Sequence, residues 1–159
     1  MKALLFALLL FPSLAFSWSL DSGNLNGDDW DSSLMKGKAY ILFYVSPKKK
    51  DLNNDASDKL KEQKFDGDVF GSVAVIDLKS SWIPNSLITR AIKKKQAKYP
   101  RTIYLKDKKR FLHESLDFKP SGNDIFAFDK EGKEIFRQAG KLSEEDTQRL
   151  IDLLRESIK

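Results

Sequence analysis

No cysteine occurs anywhere in the 159 residues. That absence excludes disulfides, thiolate nucleophiles, thiol redox chemistry and any metal site that needs sulfur. There is one histidine, His113, and no second imidazole stands at ligand spacing from it, so a zinc site of the His/Cys type is excluded too. A serine triad built on His113 would need a nucleophile elbow and a glycine-rich oxyanion loop, and the chain has neither. Long apolar runs are also missing. The one at the N-terminus, Ala3 to Phe11, is about nine residues, well short of the roughly 20 that span a bilayer. Nor does one sign of charge dominate: 28 Lys and Arg against 23 Asp and Glu leave a net +5. That favours solubility and weak attraction to anions, and falls far below the charge density of a nucleic-acid binder. No nucleic-acid partner is expected.

The first 17 residues, MKALLFALLLFPSLAFS, have the grammar of an export leader. Lys2 is its charged end, Ala3 to Phe11 its apolar core, and Ala15 and Ser17 the small residues of a cleavage site. We therefore expect a signal peptide over 1–17, cleavage after Ser17, and a periplasmic mature chain starting at Trp18. With no cysteine after the apolar core, a lipid-anchored leader is excluded. Loss of Lys2 lowers the net charge from +5 to +4. The roughly 140 residues that remain suit one domain.

The stretch Ala39 to Val45 is apolar or aromatic at every position. A strand with one wet face would alternate, so this one is expected in the middle of an α/β sheet, covered on both sides. Residues 18–36 before it are polar, with Trp18, Leu20, Leu25 and Trp30 scattered through them, and predict an extended arm with one short strand. After it, Leu52, Ala56 and Leu60 predict a helix to about Gln63, and SVAVIDL (72–78) a second buried strand. Leu87, Ile88, Ala91 and Ile92 share a face of a second helix ended by Tyr99-Pro100, and Thr102 to Leu105 form a third strand. Phe111 to Phe118 reads as a short helix, or else as an edge strand with Phe111, His113 and Ser115 on one side, the helix being preferred. Asp124–Phe128 and Lys133–Gln138 flank Asp-Lys-Glu-Gly and predict a hairpin turned by Gly132. Ser143 then caps a final helix that buries Leu150, Ile151, Leu154 and Ile158.

In open α/β sheets ligands gather where strands end and helices begin. After the central strand that position reads Ser46-Pro47-Lys48-Lys49-Lys50-Asp51. Three ammonium groups beside a helix N-terminus suit a phosphate, a carboxylate or an acidic peptide, although runs of like charge are usually solvated loops. Asp77, Asn123 and Asp124 are expected at the same edge. The candidate ligand-binding set is thus Ser46, Lys48, Lys49, Lys50, Asp51, Asp77, Asn123 and Asp124, with a protein or small anion as partner and no metal or cofactor. Lysine with Asp77 also leaves open a non-thiol enzyme, and equally a structural ion pair. Lys93, Lys94, Lys95, Lys98, Lys106, Lys108, Lys109 and Arg110 suggest a basic face for weak contact with anionic membrane, interrupted by Asp107. Asp21, Asn24, Asn26 and Asp28 are loosely spaced for calcium, but no glutamate stands where an EF-hand loop needs one.

The order β-α-β-α-β, hairpin, helix resembles the thioredoxin-like plan. LMKGKAYILFYV and NDIFAFDKEGKEIFRQAGKLSEEDTQRLIDLL are similar to the opening and closing segments of periplasmic thioredoxin-like proteins. More narrowly, the chain from about Met35 onward resembles the YtfJ family of exported bacterial proteins, most closely over Phe126 to Leu154. The resemblance implies a thioredoxin-like domain over 37–159: a mixed sheet with a central parallel βαβ unit, a C-terminal hairpin and a closing helix. Redox members of the fold carry cysteines just after the central strand and a cis-proline before the hairpin. Here those positions hold Ser46 to Lys50 and Asn123. Both halves of the redox centre are absent. The implied role is a non-catalytic binding or accessory module.

Overall fold

The structure, a computed structural model, describes residues 17–159. The expected leader lies outside the described residues except for Ser17. β1 (Ser19–Leu20) and β2 (Trp30–Asp31) form a small antiparallel ribbon. There follow β3 (Ala39–Val45), α1 (Asn54–Glu62), β4 (Phe70–Asp77), α2 (Asn85–Lys98), β5 (Thr102–Asp107), α3 (Phe111–Ser115), β6 (Asn123–Phe128), β7 (Glu134–Ala139) and α4 (Glu144–Ser157). The five longer strands make one sheet in the order β5-β4-β3-β6-β7. β3, β4 and β5 are parallel, while β6 runs antiparallel to β3 and β7 antiparallel to β6.

The unbroken apolar character of β3 has the cause expected of it. All seven of its residues are buried, and the alternation of side chains divides them between two cores. Ala39, Ile41, Phe43 and Val45 pack with Ala56 and Leu60 of α1, Ile88 and Ile92 of α2 and Leu150, Ile151 and Leu154 of α4. Tyr40, Leu42 and Tyr44 face the other way, onto Leu112 of α3 and the ribbon residues Trp18, Leu20 and Trp30. A strand hydrogen-bonded on both edges and packed on both faces has no side left for a polar residue.

Several expectations need adjustment. The N-terminal segment is more ordered than an extended arm. It doubles back through Gly27, whose φ is +96°, with the Asp29 carboxylate accepting the Ser22 N–H at 2.6 Å. This brings the Trp18 and Trp30 rings to 4.5 Å between centroids and closes the sheet face that α3 is too short to cover. In α2, Ile88 and Ile92 are buried as expected, but Leu87 is 55% exposed. Ile158 is only partly buried, one turn beyond the packed stripe of α4. The hairpin follows its sequence signal: Gly132 has φ +81°, and Asp129 Oδ1 accepts the N–H groups of Glu131 and Lys133 at 3.0 and 2.8 Å. Ser143 Oγ accepts the Asp146 N–H at 3.0 Å and caps α4. No helix among the described residues is long and apolar enough to cross a membrane.

Two substitutions separate packing from capping. Ile41→Ala, at a position 1% exposed, is expected to cost about 2–5 kcal/mol. Ser143→Ala should cost about 1 kcal/mol. Urea unfolding followed by circular dichroism reads both.

Candidate binding edge

Three parallel strands end at one edge of the sheet, and β6 starts there. Val45 pairs with both Ile76 and Asn123, and Asp77 with Asp107. All eight candidate residues therefore gather at this edge, but the sheet divides them into two groups with different surroundings.

On the α1 side, Ser46 is buried and its N–H donates to Gly122 O at 2.8 Å. Pro47–Lys49 form one 3-10 turn, since proline fixes φ and carries no N–H for the ladder. Asn123, 2% exposed, donates its amide to Lys49 O at 2.9 Å. Its Oδ1 accepts from the amide of Asn53 at 3.0 Å, and that amide also donates to Gly140 O at 3.0 Å. Asn53 Oδ1 accepts the Leu142 N–H at 2.8 Å. Asn53 precedes α1 as a capping residue yet caps none of its N–H groups; its oxygen is diverted to the segment after β7. Two buried amides thus tie three chain segments together: the β3–α1 connection, the start of β6 and the stretch after β7. Asn123 follows a trans peptide bond, and no cis bond occurs among the described residues.

The lysines lie outside this tie. Lys48, Lys49, Lys50 and Asp51 are exposed. Lys49 Nζ donates to Ser121 O at 2.9 Å, its stem lying over Gly122. A Cβ at Gly122 would come 2.8 Å from Lys49 Cδ, and φ there is +101°. Glycine suits this position on both counts. Lys50 pairs with Asp51, while Lys48 has no hydrogen bond or ion pair among the described residues. The Lys50 hydrogen bond, joined by that of Lys95 and opposed by partial burial, holds the Asp51 carboxyl down at about 2.

On the α3 side the edge is acidic and closed. Asp77, Asp107 and Asp124 are each 1–2% exposed. Asp77 accepts Arg110 Nε at 3.1 and 3.2 Å and the Lys79 N–H at 3.0 Å. Asp107 accepts the N–H groups of Lys109, Phe111 and Leu112 at 3.0–3.1 Å and the Tyr44 hydroxyl at 3.3 Å. Asp124 accepts the Ser121 N–H and Oγ–H at 2.9 and 2.7 Å. Burial first, then the charges of Asp107 and Asp77, push the Tyr44 phenol well above its ordinary value, so it serves as a neutral donor. No buried side-chain nitrogen or oxygen among the described residues lacks a partner.

Asp77, Asn123 and Asp124 thus shape the edge from within, and the lysines and Asp51 are the groups that reach solvent. Sequence reasoning passed over Asn53, Asp107 and Tyr44 as parts of the edge. A signal for Asp107 existed, because SVAVID and TIYLKD are both β-rich segments ending on aspartate, at positions that pair in the sheet. His113 stands apart, its ring edge-on to Phe118. Lys95 and Lys98 of the basic helix are tied to Asp51 and Asp58. No group of three or more His, Cys, Asp or Glu among the described residues could hold a metal ion.

With this topology, and with thiols and cis-proline both replaced, the chain is a thioredoxin-like protein without the fold's redox centre. Solved structures agree on the fold. The exposed lipoprotein thioredoxin Etrx1 of Streptococcus pneumoniae aligns with a TM-score of 0.64 at 19% identity, covering 88% of this chain and 98% of that one. A thiol-disulfide isomerase from Corynebacterium glutamicum aligns with a TM-score of 0.65 at 13% identity, covering 92% and 97%. Residues 17–157 match the family described as a bacterial protein of unknown function, YtfJ_HI0045. The chain belongs to that family. It is 20% identical over 144 residues to the uncharacterized protein YtfJ of Escherichia coli K12, covering 88% of this chain and 78% of that protein.

Two predictions concern this edge. Asn53→Ala and Asn123→Ala should each cost about 1–3 kcal/mol, because each leaves buried partners unpaired. Since the two side chains bond each other, the double variant should cost less than the sum by roughly 0.5–3 kcal/mol, read from a urea-unfolding cycle. Asp51 is lowered in the folded state, so its contribution is present above pH ~4 and lost as pH falls toward about 2. Solvent screening keeps that contribution small. Asp51→Asn should flatten this part of the acid limb of a Tm–pH profile, and an unchanged limb refutes the assignment.

Proposed function

We propose that this chain is an exported, non-catalytic binding module of thioredoxin fold that receives an anionic group at the edge formed by Lys48, Lys49 and Lys50. The observation that carries this reading is the state of the two positions where redox relatives keep their chemistry. One is a short turn with three exposed ammonium groups, of which Lys48 has no internal partner. The other is Asn123, whose side chain is occupied by Asn53 and Lys49 O. An edge closed behind and cationic in front favours binding over turnover. The partner is a phosphate, a carboxylate or an acidic stretch of protein. Export is supported by the leader-like first 17 residues, and the family resemblance agrees with it.

The test is thermal stabilisation by inorganic phosphate and by small carboxylates at constant ionic strength. The expected result is a saturable rise in Tm, lost when Lys48, Lys49 and Lys50 are all replaced by Ala and retained in Lys108→Ala/Lys109→Ala. A rise that is equal in both variants, or no rise with any anion, overturns the reading. Turnover of a substrate abolished by a single polar substitution at the edge would replace it with an enzyme.

A further inference from the structure

The two faces of the sheet are not packed alike. Toward α3 and the ribbon, Leu42, Val73, Val75 and Leu105 are 0% exposed. Their neighbours on the same strands that face α1 and α2 keep residual exposure: Phe43 8%, Ala74 7%, Ile76 7% and Tyr104 8%. Between β3–β5 and the two helices lies a cavity of about 520 Å³. Its floor is Ile41, Phe43, Ala74, Ile76 and Tyr104, and its roof Leu60 of α1 with Ile88, Ala91 and Ile92 of α2.

Polar ties at the rim of the cavity hold the helices over it. Asp58 of α1 accepts the Tyr99 hydroxyl at 2.6 Å and Lys98 Nζ at 3.2 Å. Lys61 Nζ donates to Lys98 O at 3.1 Å, and Lys95 reaches Asn54 and Asp51. Three lysines, Lys61, Lys95 and Lys98, lie 4.9–5.8 Å from the centre of the Tyr99 ring. The roof is therefore fastened at its polar rim as well as by the apolar packing of Leu60, Ile88 and Ile92 on the strands. The exposed Leu87 lines the cavity, and Trp82, 83% exposed, adjoins Ile83, which also lines it.

The charged side chains that line this space are all cationic, two of them, Lys50 and Lys95, being paired with Asp51 just outside it. Lys38, Lys50, Lys61, Lys64, Lys95 and Arg101 line it, and no carboxylate does. Lys38, Lys61 and Arg101 each donate to a backbone carbonyl and so keep their charge uncompensated, and Lys64 has no side-chain partner among the described residues, so the apolar hollow is rimmed by net positive charge. Pockets of this size accept small ligands, with apolar walls supplying contact area and a few polar groups fixing orientation.

We propose that the cavity beneath α1 and α2 binds an anionic amphiphile with a single acyl chain, the chain lying on the sheet and the head meeting the rim cations. The shared chemistry is an alkyl chain ending in carboxylate or phosphate, from a free fatty acid or a lysophospholipid. The cavity meets the lysine edge at Pro47, Lys50, Asn53 and Asn123 and is not lined by Lys48 or Lys49, so failure of phosphate binding there would leave this proposal standing.

The test uses protein purified without detergent and titrated with cis-parinaric acid, whose fluorescence rises on entering an apolar site. The expected result is saturation near one equivalent, with displacement by palmitate or by lysophosphatidic acid; the stronger competitor identifies the source. Ala74→Leu fills the cavity from the floor and Ala91→Phe from the roof, so two independent variants guard against one that does not fold. Each folded variant should lose at least tenfold in affinity without a fall in Tm, and Lys50→Glu/Lys64→Glu should weaken binding several-fold. No saturable binding, or binding that both filling variants leave intact, overturns the proposal. Equal competition by an uncharged monoacylglycerol overturns the anionic class.

Discussion

The burial of β3 on both faces and both edges is the constraint on which the rest depends. Each of its seven residues is buried, and its backbone pairs with β4 on one side and β6 on the other. A strand so placed must have layers above and below it, and it must end abruptly, because the next residue has to leave the sheet. Pro47 makes that exit. Chain that leaves a central strand beside a helix N-terminus comes out where backbone N–H groups point at solvent. The fold therefore concentrates polar groups at this edge whichever side chains occupy it.

What occupies it here changes the character of the fold. Redox members hold thiols against a cis-proline at this junction. In this chain a pair of asparagines, Asn53 and Asn123, bridges the same gap with four hydrogen bonds of 2.8–3.0 Å to one another and to the backbone of Lys49, Gly140 and Leu142. Amides suit the task because each offers both donor and acceptor, and buried polar groups need partners. On the opposite face three buried aspartates are each answered: Asp77 by Arg110, Asp107 by backbone N–H groups and Tyr44, Asp124 by Ser121. A reactive thiol has been replaced by structure, leaving cations at the surface.

The unequal packing of the two faces follows from the elements available to cover them. The ribbon brings Trp18 and Trp30 against Tyr40 and covers most of the α3 face, Ile103 and Phe118 staying partly buried. On the other face, α4 packs closely through Leu150, Ile151 and Leu154, all 0–2% exposed, whereas α1 and α2 carry narrow apolar stripes and many lysines. Those lysines bridge to Asp51, Asp58 and backbone carbonyls on the neighbouring helix. The bridges add to the seat that Ala56, Leu60, Ile88 and Ile92 give α1 and α2 on the sheet. The lysine edge and the cavity are thus products of one distribution of side chains, in which apolar residues are concentrated on the strands and cations on the helices.

Much of this was legible before any coordinates. The double-faced burial of Ala39–Val45, the hairpin at Gly132, the Ser143 cap and the missing redox centre all follow from residue types at local spacing. Local spacing suffices there because turn, cap and strand signals act over only a few residues. The doubling back of the N-terminal ribbon was not legible, since it depends on Trp18 meeting Trp30 and Tyr40 across the chain. Nor was the burial of Asn123, Asp77 and Asp124, polar residues that read as solvent-facing until their partners Asn53, Arg110 and Ser121 are placed. The sequence by itself determined the element order, the central strand and the absence of thiol chemistry. Tertiary structure alone decided which polar groups at the edge are satisfied internally, which reach water, and that the space under α1 and α2 is rimmed by cations. Those outcomes depend on pairings between residues up to 89 positions apart, and no local pattern encodes such distances.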